Sequence, residues 1–521
     1  MERWRRIATV SICAAALLVG VLAGPGAVAQ PRRGGTLRYA HYAEPPTLDI
    51  HWTTAAIVGD ITRFMYEGLF ALDSKSQPMP LLAQSWQVSP DRQTYTFVLR
   101  QGIQFHHGRE LNADDVVASL ARWGRIASRG RELFSQVASL TAVDRHTVQM
   151  RLREPNALVA AALAFPGQWA AIYPKEIVDE FGNNQIRKFV GTGPYRLVEH
   201  VPDRHIRLER FDRYQPRTEQ ADGLAGGRSA NFDAILIIPV PDPAVRIAGV
   251  QRGDYDFAHA IPPDEYDRLR GDSRVATYVE PSASWLIGQF NKRQGILTNK
   301  TLRHAILATL DMEKVMSAAF GPRALWRLDP GLLPKETAMW TDVGKEYYNQ
   351  KNAERARKLI AEAGYRGEPI RWLTSPERPT YYDATQVSKA QLEAVGLKVE
   401  LVTTDWATLL TRRNRPDAWD IFTTGMLAPL SEPTALLAIL PNWPGWYESR
   451  EVGGIIKLLT RHADPKVRLD LWRRAQKQYW EDAAAIKFGD FFVLHLHRRE
   501  LKGIVGSPLI DLGRTYLEGG R

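Results

Sequence analysis

One cysteine, Cys13, stands in 521 residues, so no disulfide can close within the chain and a cysteine-stapled scaffold is excluded. The sequence has no GxSxG, HExxH or CxxC, and no GxxxxGK followed by Ser or Thr. Serine-hydrolase, zinc-protease, redox and P-loop signatures are therefore missing. Beyond residue 29 no apolar run is long enough to cross a membrane; the most apolar stretches, 157–165, 235–240 and 436–440, are all short. Charge is not gathered into blocks of one sign. The net +10 is spread in pieces such as Arg412-Arg413 and Arg498-Arg499 with acids between them, so no nucleic-acid face is expected. What is present is an ordinary globular composition long enough for two or more domains, with 15 tryptophans. Most tryptophans should fill cores, and the surplus suggests aromatic walls in a cleft or interface.

Residues 1–29 read as a secretory signal: a basic start (Arg3, Arg5, Arg6), an apolar run over 7–23, and Ala27-Val28-Ala29 before a cleavage point. An uncleaved anchor is the alternative, but Gly20, Gly24, Pro25 and Gly26 interrupt the run. Arg5-Arg6 is a poor twin-arginine signal, so the general secretory route is expected. Cleavage after Ala29 removes Cys13, three Arg and one Glu, leaving 521 − 29 = 492 residues with a formal charge of +10 − 3 + 1 = +8. The expected product is exported, periplasmic and without cysteine.

Along the mature chain, Gly34-Gly35-Thr36-Leu37 opens a first strand and 61–70 looks helical. Alternation over 85–99 around Ser89-Pro90-Asp91 predicts a β-hairpin. Asn112 with Asp114 and Asp115 opens a helix, and 141–153 forms a second hairpin-like pair. From 195 to 281 the chain is rich in strands, with a helix started by Asp242-Pro243. From 282 to about 480 strand and helix alternate: strands over 370–374, 397–403 and 419–424, helices over 352–363, 382–395 and 405–412. That is the βαβ signature of a parallel sheet with its own core. The tail from Ile486 returns to strand and is expected to pack on the early part.

Gly191-Thr192-Gly193-Pro194-Tyr195 precedes a strand rather than a helix, so it predicts a tight turn and no phosphate loop. His106-His107 and His495-Leu496-His497 are the histidine clusters. Positions 495 and 497 share one strand face, workable for two metal ligands, but no third ligand is near in sequence, and packing roles are the stronger expectation.

The order of short motifs resembles the solute-binding proteins of ABC transporters in the peptide/nickel family, extracellular solute-binding protein family 5, which includes dipeptide- and oligopeptide-binding proteins. The resemblance is carried by Pro46-Thr47-Leu48-Asp49, Tyr66-Glu67-Gly68-Leu69, Leu82-Ala83-Gln84-Ser85-Trp86, Phe105-His106-His107-Gly108 and Asp114-Asp115-Val116-Val117. Further along it continues through Gly191-Thr192-Gly193-Pro194-Tyr195, Leu302-Arg303-His304-Ala305-Ile306, Glu362-Ala363-Gly364-Tyr365 and Asp405-Trp406-Ala407. It implies an α/β, two-lobed fold of the periplasmic binding-protein type with an extra domain inserted in the first lobe. The implied division is 30–69, 191–281 and 481–521 for the first lobe, 70–190 for the inserted α+β domain and 282–480 for the second lobe. Crossings near 281 and 481 would form the hinge, and a ligand bridging the lobes would favour the closed form. Permease and ATPase partners in the inner membrane are implied, together with a monomer and no cofactor.

Ligands of α/β sheets gather beyond the carboxyl ends of strands. Two such segments follow the expected strands 370–374 and 419–424. Arg378 in the first matches the arginine that holds a peptide's C-terminal carboxylate in dipeptide-binding relatives. In the second, the position aligned with the amine-binding acid is Pro429, which cannot pair with a cation; Glu432 is the nearest substitute. Tyr381, Trp285, Trp443, Trp446 and Tyr447 are candidate cleft walls. A metal or metal-chelate receptor of the same fold is the alternative reading. An exported enzyme is a third, recommended by no nucleophile and base pair.

Overall fold

The structure is a computed structural model that describes residues 33–281, 283–426 and 432–518. The signal segment 1–29 and Pro429 lie outside the described residues. Among those described, no helix is long and apolar enough to cross a membrane.

Two large sheets organise the α/β fold. The first has seven strands. Its centre is Thr36–His41, flanked in parallel by Ala234–Pro239 and Phe257–Ile261, and continued by antiparallel strands on both sides. The second has six strands, with Ser284–Phe290 between Ala485–Phe491 and Ile421–Met426, then the parallel strands Ile370–Thr374 and Val399–Thr403. Both faces of Ser284–Phe290 are covered, which is why all seven of its residues are buried. A four-stranded antiparallel sheet over Ala83–Val88, Thr94–Leu99, Val137–Asp144 and Thr147–Leu152 holds a separate core with the helix Ala113–Ile126.

Local chemistry sets these elements as expected at most points. Asn112 accepts from the backbone N–H of Asp114 and Asp115, and the Asp115 carboxylate accepts from the N–H of Asn112, a reciprocal capping box. Asp242 caps the helix Pro243–Arg252, with proline at its first position. Two expectations shift. The helix expected over 61–70 is Ala56–Thr62, and the chain turns before the strand Phe70–Leu72, because Gly68 lies flat against the Trp169 indole and leaves no room for a side chain. The return to the first lobe, expected at 481, falls after Phe491. Ala485–Phe491 pairs with Ser284–Phe290 in the second sheet, and only Leu494–Arg498 rejoins the first. The two crossings thus lie between Val279 and Ser284 and between Phe491 and Leu494, tied by the Glu280 N–H donating to the Val493 carbonyl at 2.9 Å.

The segment with the four-stranded sheet also reaches the second lobe. The Ala157 N–H donates to the Thr460 carbonyl at 2.7 Å, and Glu154 pairs with Arg461 at 2.9 Å.

Two buried histidines hold turns as neutral rings. His51 donates from Nε2 to the Ala171 carbonyl, and burial pushes its imidazole down to about 3. His106 donates to the Gly193 carbonyl and accepts from the Gly191 N–H; burial pushes it down to about 4. Gly191 and Gly193 press on the Met65 backbone, where a Cβ would collide, so this segment is the tight turn the sequence predicts. Both folded-state values lie below the ordinary value near 6.5, so the unfolded chain takes up protons first as pH falls. Stability is therefore full above about pH 6.5 and lost below it. Between pH 6 and 4.5 the His51 contribution should fall by about 2 kcal/mol. Urea midpoints should show this, and His51→Gln, which keeps a donor for Ala171, should flatten the slope.

Candidate functional site

The carboxyl ends of Thr36–His41 and Phe257–Ile261 in the first sheet, and of Ile370–Thr374 and Ile421–Met426 in the second, place the candidate site. From the second lobe comes the segment after Ile370–Thr374. Arg378 precedes the helix Pro379–Glu393, whose first position is again a proline. Its guanidinium is exposed and stacks on Trp406, 4.9 Å from the ring centroid, and among the described residues it makes no salt bridge. Tyr381 packs edge-on against the same indole at 6.0 Å. Its hydroxyl sits against Gly425, the one place in the neighbouring strand where no side chain intervenes. Burial pushes the Tyr381 phenol up while Arg378 pulls it down.

From the first lobe comes Tyr42, directly after the strand Thr36–His41. Burial and the Asp60 carboxylate push its phenol up, and the Arg378 charge from the opposite lobe acts against them. Beneath Tyr42 lie His41, with ring centroids 4.5 Å apart, and His259 at 5.5 Å.

Arg378 and Tyr381 are therefore brought together, and the sequence reading missed their common partner. Trp406 follows an N-cap aspartate, Asp405, so the sequence signals only a helix start, although its indole carries both residues. Tyr42 was equally hidden, because one tyrosine after a strand has no distinguishing context.

Of the other aromatic candidates, Trp285, Trp446 and Tyr447 are buried and Trp443 is half-buried against two cores. Trp285 is 1% exposed, packed in the core that includes Leu332, Met426 and Trp480, because its strand is covered on both faces. Tyr447 donates its hydroxyl to Asp482 at 2.9 Å and packs on Tyr479. Trp446 stacks on Trp419 at 5.6 Å, and Trp443 packs against Phe422 at the same distance. All four make packing contacts of the kind large aromatics make in cores.

Glu432 is engaged as well. It forms a salt bridge with Arg468, whose guanidinium also donates to the carbonyls of Leu459 and His462. Burial pushes the Glu432 carboxyl up, and Arg468 opposes it. Glu432 borders a cavity of about 60 Å³ between the segment 72–165 and the second lobe. There the Arg129 guanidinium stands 3.8 Å over the Phe165 ring.

The sequence's histidine pairs are committed to structural contacts. His107 pairs with Glu176 at 2.9 Å, His495 accepts from the Ala260 N–H at 3.3 Å, and His497 donates to the Arg498 carbonyl at 2.7 Å.

Replacing Gly425 by valine tests the geometry around Tyr381. The new side chain would collide with the phenol and swing it off Trp406. We expect ligand affinity to drop by about tenfold, with a stability loss of about 1–3 kcal/mol. Calorimetry beside urea melts would separate the two effects.

Two large α/β sheets with Arg378, Tyr381 and Trp406 gathered beyond strand ends of the second one fit a receptor that takes a solute between lobes. Residues 77–447 match the family model "Bacterial extracellular solute-binding proteins, family 5 Middle". The chain belongs to that family: it is an extracellular solute-binding protein and not an enzyme. It is 29% identical to a probable peptide ABC transporter periplasmic-binding protein of Sinorhizobium fredii over 484 residues, covering 88% of this chain and 89% of the relative. It is 26% identical to the glutathione-binding protein of Escherichia coli strain K12, covering 90% and 91%. Among solved structures, the fold resembles the dipeptide-binding protein of a Pseudoalteromonas species in complex with Met-Leu, with TM-score 0.78, 20% identity and coverage of 93% and 100%. A periplasmic binding protein from A. tumefaciens in complex with agropinic acid gives TM-score 0.78 at 22% identity, covering 94% and 99%.

Proposed function

We propose that the protein is the periplasmic component of an ABC importer that captures a small peptide, or a related carboxylate-bearing solute, between its lobes and delivers it to a membrane permease and its ATPase. The observation that carries the ligand class is Arg378: an exposed arginine with no salt-bridge partner among the described residues, its guanidinium 4.9 Å from the Trp406 ring centroid, just beyond the carboxyl end of the strand Ile370–Thr374. A guanidinium fork pairs bidentately with a carboxylate, which is the chemistry of a peptide C-terminus. Trp406 and Tyr381 fix the fork's orientation before the ligand arrives, so less freedom is lost on binding. The peptide-binding names of the relatives support the same class.

Glu432 is tied to Arg468, so the ligand's amine, where it has one, is held by something other than that carboxylate. The division into a first lobe (30–69, 191–281 and the chain after 491), an inserted domain (70–190) and a second lobe (282–491) accounts for the two crossings as the hinge. Export through cleavage after Ala29 places the receptor in the periplasm. Titrating the purified protein with di- to tetrapeptides while following tryptophan emission tests the proposal. Saturable changes at micromolar or lower concentration are expected, and a flat response to every peptide class would count against it.

A further inference from the structure

We propose that His41, Asp60 and His259 form a binding site for a divalent transition-metal cation of the zinc class, in the floor of the first lobe beneath Tyr42. The three residues come from three elements: the end of the strand Thr36–His41, the helix Ala56–Thr62 and the strand Phe257–Ile261. One donor atom of each lies within 4.8 Å of the others.

The spacing fits a metal better than it fits hydrogen bonds. Asp60 Oδ2 is 3.4 Å from His41 Nε2 and 3.7 Å from His259 Nε2, both longer than an ordinary N–H···O bond. Tetrahedral zinc with ligands at about 2.0–2.1 Å separates neighbouring donors by about 3.3–3.4 Å, so a small inward movement completes the geometry. Two imidazoles and one carboxylate make a donor set suited to zinc, copper or nickel rather than to calcium or magnesium.

The surroundings hold the donors in place. Arg63 donates to Asp60 Oδ1 at 2.9 Å, leaving Oδ2 turned toward both rings. His259 is set by a bulge: register slips between Ala258 and Ile261, and Ala260 has φ +52°, a left-handed conformation costly for alanine. That conformation is held by the Ala260 N–H donating to His495 and by Arg246 donating to the Ala260 carbonyl at 2.8 Å. The ring centroids of His41 and His259 lie 4.6 Å apart; among the described residues neither Nδ1 has a hydrogen-bond partner, so packing rather than an outer hydrogen bond sets the rings.

The charged and titratable neighbours set the strength. Arg63 and Arg246 oppose a cation, while Glu280 stands 3.5 Å from His495, whose ring packs on His259. Affinity is therefore expected on the order of micromolar rather than nanomolar. The site is built from the first lobe alone, so it needs no peptide and no closure.

Titration of the EDTA-stripped mature protein with zinc chloride, followed by calorimetry without peptide, tests the assignment. One equivalent should bind. His259→Gln should weaken it at least tenfold, while His107→Gln on the surface should leave it unchanged. Because Asp60→Asn also disturbs Arg63, cobalt(II) spectra provide a second reading: tetrahedral d–d absorption in the wild type, lost in His259→Gln and kept in His107→Gln. Absence of binding below about 100 µM, or equal affinity in His259→Gln, would overturn the site. Neither result bears on peptide capture, which is measured separately.

Discussion

Replacing Arg122 by methionine should cost about 3–5 kcal/mol of stability, the largest effect expected from any single substitution considered for this protein. Arg122 and Asp49 are both fully buried, joined through two guanidinium nitrogens at 3.1 and 2.6 Å. Arg122 stands on the helix Ala113–Ile126, and Asp49 belongs to the turn after the first strand, so the pair fastens the inserted segment to the first lobe. Asp49 also accepts from the N–H of His51 and of Ile186 and from the Tyr173 hydroxyl, while Arg122 donates to the carbonyls of Gly182 and Asn184. Removing the guanidinium strands a carboxylate away from water, and that uncompensated charge, rather than the lost attraction, sets the cost. The double variant Arg122→Met with Asp49→Leu should recover part of the loss, since no charge is then left unpaired. Urea unfolding of the two single variants and the double variant measures the coupling. A loss below about 1 kcal/mol for Arg122→Met would show that the pair is not what docks the inserted segment.

Arg378→Ala should weaken peptide binding by about ten- to a hundredfold with little change in stability. The side chain is exposed and makes one aromatic contact, so the fold has little to lose. A charge-assisted hydrogen bond to a carboxylate contributes about 1.5–3 kcal/mol, which sets the range. Arg378→Lys should recover only part of the affinity, because an ammonium keeps the charge but not the planar fork or the stacking on Trp406. Trp406→Ala should lower affinity less than Arg378→Ala does, since it removes the support and leaves the charge. Unchanged affinity in Arg378→Ala, measured by calorimetry at low ionic strength, would remove this arginine from the site.

Local signals made most of the fold legible, and the cleft was legible only in part. Asn112, Asp242, Asp405 and Asn352 each cap the helix that their sequence context announces, because capping depends on a few neighbouring backbone groups. The strand Ile370–Thr374 follows from its own apolar residues and flanking turns. β texture names a strand without naming its sheet, so the sequence puts the second crossing about ten residues before the point at which strand pairing puts it. Ala485–Phe491 and Leu494–Arg498 look alike in sequence, and only pairing with Ser284–Phe290 separates them. Aromatic residue type is ambiguous for a related reason. Residue type cannot tell Trp285, enclosed between two strands, from Trp406, free to carry Arg378. His41, Asp60 and His259 are separated by 18 and 198 intervening residues; the parallel pairing of their two strands makes neighbours of the histidines, and the helix Ala56–Thr62 brings Asp60 to them.

The most direct test of ligand capture compares acid and amide. A pool of di- to tetrapeptides and the same pool with amidated C-termini are each offered to the purified protein, and bound species are read by native mass spectrometry. Adducts from the free-acid pool, lost in Arg378→Ala and absent from the amidated pool, are the expected result. Equal uptake of both pools, or of neither, would contradict a receptor that holds its ligand by a carboxylate.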